Sequence, residues 1–68
     1  MICEKVGKRI KELRKALNIS QEELADRADV HRTYIASLEV GKRNVSIITL
    51  EKIILALDIS LSEFFDFN

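Results

Sequence analysis

The chain contains no proline and two glycines among its 68 residues, so few of its positions interrupt a helix. Apolar side chains recur about one turn apart near its start, at Val6, Ile10, Leu13 and Leu17, with charged residues between them. This spacing is typical of an amphipathic helix that buries one face. We therefore predict an all-α fold of short helices with tight connections, in one domain over residues 1–68.

Serine residues mark where later helices begin. Ser20 and Glu23 match a capping box, in which the serine hydroxyl accepts from the N–H of Glu23 and the glutamate carboxylate reaches back to the N–H of Ser20. The same order of helix stop, apolar residue, serine and glutamate returns over residues 57–64. Ser46 is the N-cap expected for a further helix.

These signals predict five helices. The first ends near Asn18, the second runs from Ser20 to Arg27 or Ala28 before a turn at Asp29, the third from about Arg32 to Val40 before Gly41, and the last two follow Ser46 and Ser60. The fourth helix is expected to bury one stripe, made of Ile47, Leu50, Ile53, Ile54 and Leu57. The short fifth helix carries Leu61, Phe64 and Phe65.

Residues 20–41 contain the arrangement with the clearest functional meaning. Two short helices meet across a tight turn, and the small side chain of Ala25 lets them cross closely. Helices this short depend on packing, so Val30, Ile35 and Leu38 are expected to fix the second one from its inner side. Its outer face then projects from the body of the domain and is narrow enough for the major groove of DNA, about 12 Å wide.

The same segment resembles the Cro/repressor-type, or Xre-like, helix-turn-helix family. The matching residues are Ser20-Gln21-Glu22-Glu23-Leu24-Ala25, Val30, Ile35, Leu38-Glu39 and Gly41. Within that family the runs Arg32-Thr33-Tyr34-Ile35 and Gly41-Lys42-Arg43-Asn44 are similar to controller proteins of restriction–modification systems. The resemblance implies a compact five-helix, lambda-repressor-like DNA-binding domain. Asp29 stands where the family usually has glycine, and His31 where a serine or threonine commonly caps the recognition helix.

We expect Arg32, Thr33 and Ser37 to read bases from the outer face of the third helix. The Arg32 guanidinium can bind guanine O6 and N7 together, which is the commonest specific contact to a base. Thr33 offers a hydroxyl and a methyl group, and Ser37 lies one turn further on. Considered alone, Arg32 would be read as a solvated surface charge, and only its place in the motif favours the base-reading role.

Contacts to the DNA backbone are expected beside these readers, from Gln21, His31, Tyr34, Lys42, Arg43, Asn44 and Ser46. Gln21 resembles the family's phosphate-binding glutamine, which also supports the recognition helix. The Tyr34 ring packs inward or its hydroxyl reaches a phosphate, and His31 lies near a phosphate or is plain surface; the sequence leaves both choices open. The resemblance also implies a structural ion pair between Arg14 and Glu39.

One such domain makes few base contacts, so we expect a homodimer on a pseudo-palindromic operator. The apolar residues expected to form the dimer surface lie near the end of the sequence and are Ile59, Leu61, Phe64, Phe65 and Phe67. The alternative is that they close the base of the core. RNA polymerase is a further candidate partner, through Glu22, Glu23 and Asp26. The length leaves no room for an effector-binding domain, so no small-molecule effector is expected.

Other function classes find little support. The single cysteine, Cys3, and the single histidine, His31, provide neither a set of metal ligands nor a nucleophile–base pair, so we expect no cofactor, no metal and no enzyme activity. No apolar run approaches the roughly 18 residues of a membrane span, and a cytoplasmic protein without a membrane partner is expected. The formal net charge is zero, which does not decide for or against DNA.

Three alternatives to a controller protein stay open at this point. A phage Cro or repressor and an antitoxin-type repressor would use the same DNA-binding surface and differ in the genes they accompany. A protein-interaction module would keep the fold without binding DNA. Arg32, Arg43 and Gln21 argue against that last alternative, and binding to duplex DNA that weakens steeply with salt would exclude it.

Overall fold

The computed structural model describes residues 1–67, which form five α-helices joined by short connections. The helices are α1 (Ile2–Ala16), α2 (Gln21–Ala28), α3 (Arg32–Glu39), α4 (Ile47–Ala56) and α5 (Leu61–Phe64). The predicted all-α, five-helix architecture is confirmed. Among the described residues, no helix has the length and apolar character that crossing a membrane requires.

Three helices begin at serine N-caps. The hydroxyls of Ser20, Ser46 and Ser60 each accept the backbone N–H three residues later, at 3.0, 3.1 and 3.1 Å. The full capping box is present at Ser60, whereas the prediction of one at Ser20 was wrong. The Glu23 carboxylate instead accepts from Arg27 at 2.8 Å, because an arginine one turn along the same helix competes for it.

Three connections contain a non-glycine residue with left-handed backbone: Asn18, Asp29 and Asp58 have φ angles of 61°, 58° and 60°. Asn and Asp adopt this conformation more readily than other residues with a Cβ. Each allows a helix to end so that the next can start within a few residues. The turn between α2 and α3 therefore forms although Asp29 replaces the glycine usual in the family.

The core lies where α1 to α4 meet, and two predictions about it were wrong. Phe64 is 0% exposed, so it is not a surface residue for a partner. It is the buried side chain of a four-residue helix, where it fills the base of the core. Ile47 is 85% exposed although it shares the helical spacing of Leu50. As the first residue of α4 it leans beyond the packed end, since side chains tilt toward a helix's N-terminus.

Small residues are buried in both of the helices that contact α3. Ala25 of α2 is buried as predicted. Gly7 of α1 lies against the Leu38 carbonyl at the end of α3, and a Cβ added at Gly7 would overlap that oxygen. The backbone of α1 therefore packs directly against the backbone of α3 at this crossing. As a result, α3 is held between α1 and α2.

Candidate nucleic-acid interface

The start of α3 presents polar side chains outward. Arg32 and Thr33 are exposed, whereas Ile35 and Leu38 are buried in the core. Ser37 is half-buried, so its side chain is less accessible than those of Arg32 and Thr33. The helix therefore has an anchored inner side and an accessible outer side, which the sequence pattern predicted.

A buried polar network fixes the far end of α3. The Arg14 guanidinium of α1 donates to both carboxylate oxygens of Glu39, at 2.7 and 3.0 Å, and to the Ile19 carbonyl at 2.9 Å. The Arg14 and Glu39 side chains are 10% and 2% exposed. The hydrogen bonds with Glu39 raise the pKa of Arg14 above its ordinary value, against the opposing effect of burial.

Gln21 joins this network from the first residue of α2. Its Nε2 donates to Glu39 Oε1 at 3.0 Å, so the carboxylate links three helices. An amide nitrogen carries two N–H groups, and one of them remains for another acceptor while Gln21 stays half-buried. This geometry is compatible with support of α3 and with a phosphate contact by the same side chain.

The loop between α3 and α4 carries the other backbone-contact candidates. Lys42, Arg43 and Asn44 are all exposed. The Arg43 Cζ lies 5.2 Å from the centroid of the Tyr34 ring, within the range of a cation–π contact. Asn44 Oδ1 accepts from the Cys3 thiol at 2.7 Å, and this hydrogen bond does not use the amide N–H groups of Asn44.

His31 and Ser46 occupy the N-cap positions of α3 and α4. The His31 side chain is exposed and makes no capping hydrogen bond. The Ser46 hydroxyl accepts from the Thr49 N–H and donates to Thr49 Oγ1 at 2.9 Å. Ser46 therefore fixes the start of α4, and the free N–H groups of that first turn are the donors it offers to a phosphate.

Sequence reasoning missed two structural contacts. Arg9 donates to the carbonyls of Phe64 and Glu63, at 2.8 and 2.6 Å, and so ties α5 to α1. No local pattern reveals this, because the partners are more than 50 positions apart and one of them is backbone. Gly7 did carry a signal: a glycine inside a helix pattern costs helix stability and therefore indicates a packing reason.

Apart from the buried Phe64, the apolar residues expected at a dimer surface divide into two groups. Leu61 and Phe65 are 55% and 45% exposed, whereas Ile59 and Phe67 are half-buried. The rings of Phe64 and Phe65 meet edge to face, with their centroids 5.0 Å apart. Phe64 thus anchors Phe65, whose outer side is accessible to a partner.

Comparison with known proteins identifies the fold family. The helix-turn-helix family model matches residues 10–64, which is most of the chain. The chain belongs to the Xre-like helix-turn-helix family. The matched residues include the polar network at Glu39 and the outward face of α3. Both therefore lie within the part of the chain that matches the family.

Several relatives of this helix-turn-helix protein are control proteins. It is 52% identical over 60 residues to the control protein C.MunI of a Mycoplasma species, covering 87% of this chain and 81% of the relative. The restriction–modification controller protein C.AhdI of Aeromonas hydrophila is 43% identical, with a TM-score of 0.89 over 93% of this chain and 96% of that one.

A third relative was solved on DNA. The restriction–modification controller protein C.Esp1396I, as a tetramer with its natural 35 base-pair operator, is 36% identical with a TM-score of 0.92, covering 97% of this chain and 87% of that one. Other solved structures of C.Esp1396I carry substitutions of an arginine, a threonine and a tyrosine that are consecutive in its chain.

Proposed function

We propose that this chain is a sequence-specific DNA-binding transcription regulator, the controller protein of a restriction–modification system. One observation carries the proposal: exposed Arg32 and Thr33 stand at the start of a helix whose inner residues, Ile35 and Leu38, are locked in the core. Such a helix holds the backbone of Arg32 and Thr33 in place before DNA arrives, so little backbone order has to be gained on binding. The similarity to control proteins narrows the class.

The dimensions of α3 support entry into the major groove. An α-helix with its side chains is about 10–12 Å across, which suits a groove about 12 Å wide, and the eight residues of α3 give a segment short enough to lie in it. Arg32 is assigned to a guanine, and Thr33 to a neighbouring base through its hydroxyl or methyl group. Ser37 is half-buried and lies one turn further along α3, and it is assigned to a further base.

The surrounding residues are assigned to the sugar–phosphate backbone. Phosphate contacts set the register of a reading helix, and base contacts give sequence preference. Lys42 and Arg43 supply charge from the loop after α3. The remaining contacts are assigned to the side chains of Gln21, His31 and Asn44 and to the first turn of α4 behind Ser46.

The protein acts on DNA as a homodimer, with Leu61 and Phe65 in the contact between its copies. Two recognition helices about 34 Å apart read half-sites one helical turn apart. The tetramer that C.Esp1396I forms on its operator supports paired dimers on adjoining sites. The consecutive arginine, threonine and tyrosine that were substituted there have the same residue types, in the same order, as Arg32-Thr33-Tyr34 here. The protein works in the cytoplasm by binding, not by catalysis.

Selection of bound duplexes from a random pool tests this function. The expected product is one enriched motif with two related half-sites a helical turn apart. A pool that stays random, or a chain that binds no duplex, contradicts the proposal and favours a protein-interaction module.

A salt titration on the selected duplex gives the number of ionic contacts. If Lys42 and Arg43 of two protomers each neutralise one phosphate, log affinity should fall against log salt with a slope of about −3.6 or steeper, at about −0.9 for each neutralised phosphate. Lys15→Ala is the matched control, since Lys15 is an exposed cation at the end of α1 and is not among the residues assigned to DNA. Its slope should equal that of the wild type.

A further inference from the structure

Tyr34 is the one tyrosine in the sequence and occupies the third position of α3. It is half-buried and packs against the hydrophobic core, so its ring is fixed by the body of the domain. The Arg43 guanidinium carbon lies 5.2 Å from its centroid. The ring therefore offers an immobile face to a cation that comes from another segment.

Arg43 needs such a support because of where it stands. It is exposed, and it lies in the loop between α3 and α4, outside any helix. A long side chain that is free in solution loses rotamer entropy when it binds a phosphate, which weakens the contact. Stacking on an aromatic face restricts the guanidinium beforehand and leaves its planar edge free for oxygen acceptors.

We propose that Tyr34 is a positioning residue for DNA binding: its ring holds the Arg43 guanidinium beside α3, ready for a backbone phosphate, and its hydroxyl makes no essential contact. This inference rests on the proposed function and gives two residues different roles in it: Arg43 contacts the phosphate, and Tyr34 positions Arg43. It also decides between the two roles that the sequence left open for Tyr34. The ring acts through Arg43, not through a hydroxyl–phosphate hydrogen bond.

The competing explanations differ in what they require of each side chain. Direct contact by the hydroxyl needs the oxygen and is independent of Arg43. A merely structural role needs an apolar side chain at position 34 and is also independent of Arg43. Positioning needs an aromatic ring and needs Arg43, so only a coupled measurement separates it from the other two.

A double-mutant cycle makes that measurement on the selected duplex. The variants are Tyr34→Phe, Tyr34→Leu, Arg43→Ala and the combined Tyr34→Leu/Arg43→Ala. A second cycle with Lys42→Ala is the matched control, because Lys42 is the exposed cation next to Arg43. Thermal unfolding of each free variant shows that it is folded at the assay temperature.

Tyr34→Phe keeps the ring and is expected to bind within twofold of the wild type. Tyr34→Leu should lose about two- to fivefold in affinity per protomer, the size expected of an exposed cation–π contact. That loss should vanish in the Arg43→Ala background and persist in the Lys42→Ala background. Arg43→Ala itself should reduce the magnitude of the salt slope by about one per protomer.

Several results would overturn the proposal while leaving the DNA-binding function intact. They are a Tyr34→Phe loss as large as that of Tyr34→Leu, an equal Tyr34→Leu loss with and without Arg43, or an unchanged slope in Arg43→Ala. The free protein gives an independent check by NMR: ring current should shift the Arg43 side-chain protons upfield, and Tyr34→Leu should abolish the shift. Unshifted protons in the wild type count against the stack. A wild type that binds no duplex refutes both proposals.

Discussion

Replacing Arg14 by methionine tests whether the buried network holds the recognition helix. The change removes the guanidinium that bonds both oxygens of Glu39 and leaves that carboxylate, 2% exposed, with Gln21 as its hydrogen-bond partner. Breaking one side of a buried ion pair costs about 3–5 kcal/mol, since the remaining charge is neither solvated nor paired. Methionine fills much of the same volume, so little of the loss comes from a cavity.

That cost is large for a chain of this size. At roughly 0.05–0.15 kcal/mol per residue, a domain of 68 residues is stable by about 3–10 kcal/mol. The melting temperature should fall by more than about 10 °C, at about 4–8 °C per kcal/mol. The Arg14 guanidinium stays charged in ordinary buffers. Because its pKa is raised in the folded protein, the stabilisation that Arg14 contributes is complete below the unfolded arginine pKa and is lost only in strong alkali.

Urea titration followed by circular dichroism measures the free energy of unfolding. The matched control is the double variant Arg14→Met/Glu39→Met, which removes both charges and should recover most of the loss, because a buried pair contributes little beyond two apolar side chains. A single variant that loses less than about 1 kcal/mol would refute the reasoning. So would a double variant as unstable as the single one.

Four other substitutions give distinct outcomes. Phe65→Asp should shift the dimer toward monomer in sedimentation at micromolar concentration without unfolding the protein. Phe64→Ala should instead cost about 3–5 kcal/mol of stability. The reverse pattern would make Phe64 the dimer contact and Phe65 the core residue. Gly7→Ala should lower the melting temperature, because overlap with a carbonyl costs about 1–3 kcal/mol against about 1 kcal/mol of helix propensity gained. Asp29→Gly should stabilise the fold by about 0.5–1 kcal/mol in urea titration, since relief of the left-handed backbone exceeds the entropy cost of glycine; a loss would show that the Asp29 side chain contributes.

Local chemistry accounts for the features that the sequence predicted well. A serine hydroxyl needs partners only within its own first turn, so Ser20, Ser46 and Ser60 could be assigned as caps without knowledge of the fold. The left-handed residues Asn18 and Asp29 follow from the same short range. Helix number and helix ends were therefore accessible from residue types and spacing alone.

The errors arise where a residue's surroundings come from distant segments. Ile47 has the spacing of a buried residue, but α4 extends past the core at that end. Phe64 looked like surplus apolar surface, but five helices leave a space at the base that one phenylalanine fills. The stacking of Arg43 on Tyr34 lies outside any periodic pattern, because it joins a helix to a loop.

DNA recognition by this protein depends on α3 holding Arg32 where it reads a base. The binding of wild type and Arg32→Ala to a panel of duplexes, with every single base change in one half-site, tests this role. If Arg32 reads a base, Arg32→Ala loses about 1–3 kcal/mol of binding free energy on the preferred sequence and no longer discriminates at one position, while the other positions are still discriminated. Uniform weakening across the panel would make Arg32 a phosphate contact, and an unchanged panel would place base reading elsewhere.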